Sequence, residues 1–438
     1  MLNLDLDHLA GVVERCELFR VRGELCSAGG LLTATLPAAV GDHCEILPPG
    51  GSPVRCEVIG FREGRASLAS FDPAEGVRPG MEVVRRGAGP LVPAGEGLLG
   101  RVIDGLGRPV DGRGSLVGCT RVAVHQKPPA AMERARVLKP FVTGQRAIDG
   151  LLTCGRGQRI GIFSGSGVGK STLLGEIAKG SDADVNVIAL IGERGREVKP
   201  FLDDCLGVEG LRRSAVVVAT CEQPPLLRVR AARTALAIAA HFRDAGKNVL
   251  FLADSLTRLA MAQRELGLAL GEPPSSRGYT PSVFQLLATT VESLGNAATG
   301  GITAVLTVLV DGDDMDEPIS DAVRSLVDGH VALDRRLAER GHYPAISIAR
   351  SVSRVAADVS TPAHQASARK LRGILATYAE VEDLLRIGAY VKGSSPPVDK
   401  AIELMPSVEA FLKQSIGERL SLEQTREAMD KIAAVWPF

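Results

Sequence analysis

Three glycines spaced two apart, then a lysine and two hydroxyl residues, form a pattern with a definite chemistry. Here it reads Ser164-Gly165-Ser166-Gly167-Val168-Gly169-Lys170-Ser171-Thr172. Glycines let backbone N–H groups turn toward a phosphate where a Cβ would obstruct it. The lysine of such a loop reaches the β- and γ-phosphates of a nucleoside triphosphate, and the hydroxyl at Ser171 is of the type that ligates Mg²⁺. The usual pattern opens with glycine. Here Ser164 holds that place, so the tight turn is expected to fall to Gly165.

Three more side chains could complete a phosphoryl-transfer site. Asp254 ends the apolar run Asn248–Ala253, and an acid there can hold Mg²⁺ directly or through water. Without a phosphate loop upstream, such an Asp would more often be a helix N-cap. Glu193 follows the apolar run Val185–Ile191, where a carboxylate can accept a proton from water or orient it; the plainer alternative is a surface pair with Arg194 or Arg196. Arg354, in Ser351-Val352-Ser353-Arg354-Val355, has three readings: folded onto its own loop, projected into a neighbouring subunit's site to spread transition-state charge, or structural.

These groups need a scaffold that brings distant segments to one edge. Arg159–Phe163 reads as a strand into the loop, and Leu173–Ala178 continues as a helix, which is the order the motif requires. Val185–Ile191, Ser214–Ala219, Asn248–Ala253 and Ile302–Val310 are continuous aliphatic runs, suited to strands buried on both faces of a mostly parallel sheet. In such sheets ligands bind beyond the carboxyl ends of the strands, which is where Glu193 and Asp254 fall.

From Phe19 to Arg86, short β-type runs broken by glycine and proline predict a small β-barrel or sandwich. Residues 87–127 are glycine-rich and read as a connector. After Pro362 the apolar spacing becomes helical, with Leu371, Ile374, Leu375 and Tyr378 on one stripe. Leu2, Leu6, Leu9, Val12 and Val13 suggest a short amphipathic helix that either docks a partner or folds back on its own domain. Three domains result, at 1–90, 91–360 and 361–438.

Composition narrows the class. Lysine and arginine total 51, as do aspartate and glutamate, and aromatics make up 4%. A chain that grips nucleic acid is normally basic and supplies stacking aromatics, so no nucleic-acid partner is expected. The eight cysteines are scattered with no C-x-x-C pair, which fits a reducing compartment and argues against a zinc cage. The acidic N-terminus is unlike a secretory signal, and Ile302–Val310 is far too short to span a bilayer, so a cytoplasmic protein is expected.

Several motifs together resemble the flagellum-specific and type III secretion ATPases, relatives of the F-type ATP synthase catalytic subunit. They are Gly165–Ser171, Ala189-Leu190-Ile191-Gly192-Glu193-Arg194-Gly195-Arg196-Glu197-Val198, Gly278-Tyr279-Thr280-Pro281-Ser282-Val283-Phe284, Gly312–Pro318, Leu326–His330, His342-Tyr343-Pro344-Ala345-Ile346 and the connector run Val92–Val102. The resemblance implies an α/β P-loop core of the RecA/F1 type with an N-terminal β-barrel and a C-terminal α-helical domain. It also implies a homohexameric ring hydrolysing ATP with Mg²⁺ at its subunit seams to energise protein export.

By the same resemblance, Gly165 to Thr172 bind nucleotide, with Ser171 and Asp254 on the metal. Glu193 activates water, Arg194 contacts the γ-phosphate, Arg354 is the finger and Tyr343 packs on adenine. Noncatalytic subunits of the rotary relatives carry Gln at the place of Glu193, so the acid favours turnover. The expected partners are a stalk-like protein at Leu384–Tyr390, a regulator at the N-terminal helix, and export chaperones with their cargo. The setting expected is the cytoplasmic side of an inner-membrane export gate. Gly271-Glu272-Pro273-Pro274 resembles a pore-facing loop. The chain departs from the family at Ser347, where Asp is usual, and at Thr280, where proline is common. The loop and Arg386–Tyr390 lean toward the flagellar branch over the virulence (injectisome) branch.

Overall fold

The computed structural model describes residues 20–29, 31–89, 91–310 and 314–438. The amphipathic pattern at residues 2–13, and Gly312 and Asp313 of the motif quoted above, lie outside the described residues.

Six strands, Arg22–Gly29, Leu31–Thr35, Asp42–Leu47, Val54–Arg62, Arg65–Ser70 and Glu82–Ala88, close into an antiparallel barrel. Alternation drives the closure: along Asp42–Leu47 every second residue is buried, which places Cys44 and Ile46 in a core with Leu25, Val58, Leu68 and Val83. The hairpin between the fourth and fifth strands turns on Glu63 and Gly64, both at positive φ (52° and 76°), the conformation that two-residue hairpin loops require.

A nine-stranded sheet forms the centre of the molecule. From one edge the order is Ile346–Ser353, Gly329–Leu333, Arg159–Ser164, Gly301–Leu309, Asn248–Asp254, Val185–Glu193, Ser214–Thr220 and Arg101–Asp104, with Gly295–Asn296 paired beside Gly301–Leu309. All neighbours are parallel except Ile346–Ser353 and Gly295–Asn296. The aliphatic runs therefore form strands close to their expected bounds. The connector differs from expectation. Its Arg101–Asp104 is an edge strand of the central sheet, and Leu91–Ala94 pairs with Thr120–Ala123.

Both faces of the sheet are covered, which is why its central strands are mostly apolar. Val185, Val187, Ala189 and Ile191 face helices Pro225–Asp244, Leu256–Ala269 and Pro281–Glu292. Ile188 and Leu190 face the opposite core, built from the loop's helix and from Pro362–Arg386, Pro396–Leu412 and Leu422–Ala434. The C-terminal helices thus share a core with the phosphate loop's own helix. The barrel is joined to the other face by Arg230, which reaches from helix Pro225–Asp244 to Glu57 and stacks over Phe71 with 5.0 Å to the ring centre.

Candidate active site

Parallel register aligns the ends of the strands. Ser164 pairs with Leu309, and Leu190 with Asp254, so the phosphate loop, Glu193 and Asp254 emerge at one edge. Helix Lys170–Gly180 begins directly behind the loop, presenting its N-terminal N–H groups and the positive end of its dipole. Positive φ falls at Gly167 (79°) and Gly169 (87°) and not at Gly165, so the turning expected of Gly165 is performed by the two later glycines. Val168 anchors the loop in the core, while Ser166, Gly167 and Ser171 are exposed.

Beneath the loop lies a charged cluster. The Lys170 ammonium donates to Asp254 Oδ1 and stands 3.8 Å from Glu193 Oε1. Thr307 donates its hydroxyl to the same Asp254 oxygen at 2.7 Å, and Arg258 Nε lies 3.3 Å from Glu193 Oε1. Burial, together with the Asp254 charge, raises the Glu193 pKa above the ordinary glutamate value, against the pull of Lys170 and Arg258. A carboxyl so placed is poised to exchange a proton.

Arg194 lies outside this cluster. Its side chain is largely exposed and donates to Glu197 at 3.3 Å. Arg354 is farther away. Ser353 pairs with Gly329, which pairs with Ile160, so Arg354 sits at the entry end of the phosphate-loop strand. The stretch from there to Ser164 spans roughly 13 Å of strand. Its backbone N–H donates to Asp328 O and its guanidinium to Arg324 O (3.4 Å). Of the readings left open for Arg354, folding back onto its own loop disagrees with this register.

Beside the loop a cleft of about 730 Å³ runs from Gly167, Gly169 and Thr172 past Tyr343 to Gln414 and Ile416 of the helical domain, ample for a nucleoside. Tyr343 is half-exposed, and a Cβ on Gly169 would stand 3.4 Å from its ring. Gln414 binds both walls: its backbone N–H donates to Tyr343 O (2.9 Å), its amide donates to Gly144 O (2.8 Å), and its carbonyl accepts from Arg146 N (2.8 Å).

The oxygens of Ser171 and Asp254 are hard donors of the kind Mg²⁺ takes. Among the described residues no group of three or more His, Cys, Asp or Glu could cage a metal.

Sequence reasoning missed Thr307, Arg258 and Gln414. Thr307 had a signal: it is one of two hydroxyl residues inside an otherwise apolar strand, Gly301–Leu309. Arg258 lies four residues beyond Asp254, in the first turn of helix Leu256–Ala269, while nothing local marks Gln414.

A doubly covered parallel sheet with a phosphate loop, a strand-end acid and a second acid at the same edge defines a P-loop nucleotide-binding protein. Residues 144–353 match the ATP synthase alpha/beta family nucleotide-binding domain, and residues 360–431 match the T3SS EscN ATPase C-terminal domain. The chain is 49% identical over 428 residues to the flagellum-specific ATP synthase of Bacillus subtilis, covering 97% of this chain and 98% of that one. It is 49% identical over 403 residues to the SPI-2 type 3 secretion system ATPase of Salmonella typhimurium, with 92% of each covered. The solved structure of assembled EscN with its central stalk EscO, from enteropathogenic E. coli, superposes with a TM-score of 0.87 at 44% identity, covering 94% of this chain and all of that one. The chain belongs to the family of flagellum-specific and type III secretion ATPases. Among the described residues no helix is long and apolar enough to cross a membrane.

Proposed function

We propose that this ATPase works as a homohexameric ring on Mg²⁺-ATP and energises export through a flagellar-type secretion apparatus. The observation that carries the reading is the division of groups within one chain: Lys170, Glu193 and Asp254 gather at one sheet edge, while Arg354 lies at the other. A complete site then needs two copies, Arg354 of one facing the phosphate loop of the next.

The loop N–H groups and Lys170 hold the β- and γ-phosphates, competing with Asp254 for the ammonium. Tyr343 and the Gln414 wall take the base. Water attacks the γ-phosphorus, its proton passes to Glu193, and the bond to the β-phosphate oxygen breaks. Mg²⁺, when bound through Ser171 and Asp254, neutralises charge on the phosphate oxygens. Arg194, exposed next to Glu193, and Arg354 from the neighbour add positive charge on the γ-phosphate side.

The assembled state and stalk partner of EscN support a ring with a stalk-like partner; its place in this chain is taken to be Leu384–Tyr390, where Leu384 and Ile387 are exposed. We extend the reading to a regulator at the N-terminus, to chaperones with cargo, and to a site beside an inner-membrane export gate. Steady-state phosphate release tests the enzyme directly. The purified chain should turn over ATP, and Glu193→Gln should bind ATP with near-normal affinity yet lose about 10²–10⁴-fold in kcat. Equal rates for the two would place catalysis elsewhere. An injectisome role is the second reading, resting on the 49% identity to the SPI-2 ATPase. Restoration of motility in a flagellar-ATPase deletion strain separates the two systems.

A further inference from the structure

Helix Pro225–Asp244 carries four arginines, and three have carboxylate partners. Arg228 pairs with Glu265 at 2.8 Å, Arg230 with Glu57, and Arg243 with Asp244 at 2.8 Å. Arg233 has none. Among the described residues it makes no ion pair and no hydrogen bond, although it is withdrawn from water enough that burial alone lowers its pKa. A desolvated, unpaired guanidinium is costly, and in most folds a carboxylate or carbonyl relieves it.

Arg233 instead lines a cavity of about 330 Å³ between its own helix, the connector and helix Pro281–Glu292. Beside the apolar Val124, Leu236 and Leu286, the other lining groups are uncharged polar ones. His125 and Gln126 come from the connector, Gln263 from helix Leu256–Ala269, and Gln285 and Thr290 from helix Pro281–Glu292. Among the described residues no Asp or Glu lines the cavity. Burial, and next the Arg233 charge, keep the His125 pKa below its ordinary value, so at neutral pH the cavity carries the single positive charge of Arg233. Nothing here touches the phosphate loop or its cleft, whose lining is a separate set of residues.

We propose that this cavity is a binding site for a small phosphate-bearing anion, distinct from the catalytic site. The guanidinium fork meets two phosphate oxygens side by side. Amides arriving from three separate elements can serve the remaining oxygens of a tetrahedral group, whereas a carboxylate would be satisfied by the fork alone. The volume exceeds that of a bare phosphate and admits a small organic body behind it.

The test uses the full chain carrying Lys170→Ala, which weakens the catalytic loop as a competing phosphate site. Calorimetric titration with inorganic phosphate, and separately with acetate, is run at fixed ionic strength. Saturable phosphate binding is expected in this background, with acetate weaker, and Arg233→Gln added to it should weaken phosphate about 10-fold or more. Absence of saturable binding, or unchanged affinity in the Arg233→Gln chain, would overturn the site. Acetate binding as tight as phosphate would overturn the ligand class. Should Arg233→Gln fail to fold, Gln285→Leu at the exposed wall decides instead: a several-fold loss of phosphate affinity supports the site, and no loss refutes it.

Discussion

Glu193 stands between opposing fields. Burial and the Asp254 charge favour its neutral form, while Lys170 and Arg258 favour the carboxylate. Its raised pKa means that the acid stays protonated to higher pH than a free glutamate, and it can accept a proton only after that pKa is passed. Turnover should therefore rise with pH along an acid limb displaced above the ordinary glutamate value. Arg258→Gln removes one of the two stabilising cations, so the limb should move to still higher pH in a kcat–pH profile. A limb unmoved by Arg258→Gln would mean that another group controls it. At this scale the sequence was partly legible. Lys170, Glu193 and Asp254 converge because each follows an apolar strand in a parallel sheet, and that logic is local. Thr307 and Arg258 were not found because their importance depends on which strand lies beside Asp254 and which way a helix faces, and no local pattern encodes either.

Helix Pro225–Asp244 is the element on which barrel and sheet both rest. Its apolar side joins the core beneath Val185–Glu193, and Arg230 crosses to Glu57 in the barrel strand Val54–Arg62. Both members of that pair are almost fully buried. Removing one leaves the other charged and unpaired, so Arg230→Ala should destabilise by about 3–5 kcal/mol in denaturant unfolding. Replacing both, as Arg230→Met with Glu57→Leu, should cost clearly less than Arg230→Ala alone. A double variant no better than that single one would show that packing over Phe71, and not charge pairing, holds the two domains together. The long helices and aliphatic strands were readable from periodicity because burial on both faces leaves a continuous apolar record. Arg101–Asp104 was not. It lies between Gly100 and Gly105, and its strand character comes from pairing with Ser214–Thr220 far along the chain.

The arrangement of the whole molecule sets the strongest constraint on how it works. The strand that leads to Arg354 runs antiparallel to its neighbour, so the chain that enters beside the phosphate loop at Tyr343 leaves at the opposite sheet edge. A single copy therefore has the cradle at one end and Arg354 at the other, and in the ring proposed above each copy would complete the next. Subunits carrying Glu193→Gln and subunits carrying Arg354→Ala should each be nearly inactive alone. In a randomly mixed ring, a seam is whole when an Arg354→Ala copy supplies the cradle and a Glu193→Gln copy supplies the arginine. With equal amounts, one half times one half gives about one quarter of the seams intact, and recovery up to that fraction of the normal rate is expected for independent seams. Phosphate release measured across a series of mixing ratios should peak near equal proportions. A rate that stays at the level of the separate variants, in rings verified as mixed by mass, would place Arg354 outside the reaction and leave the phosphate loop, Glu193 and Asp254 of one copy to do the chemistry without it.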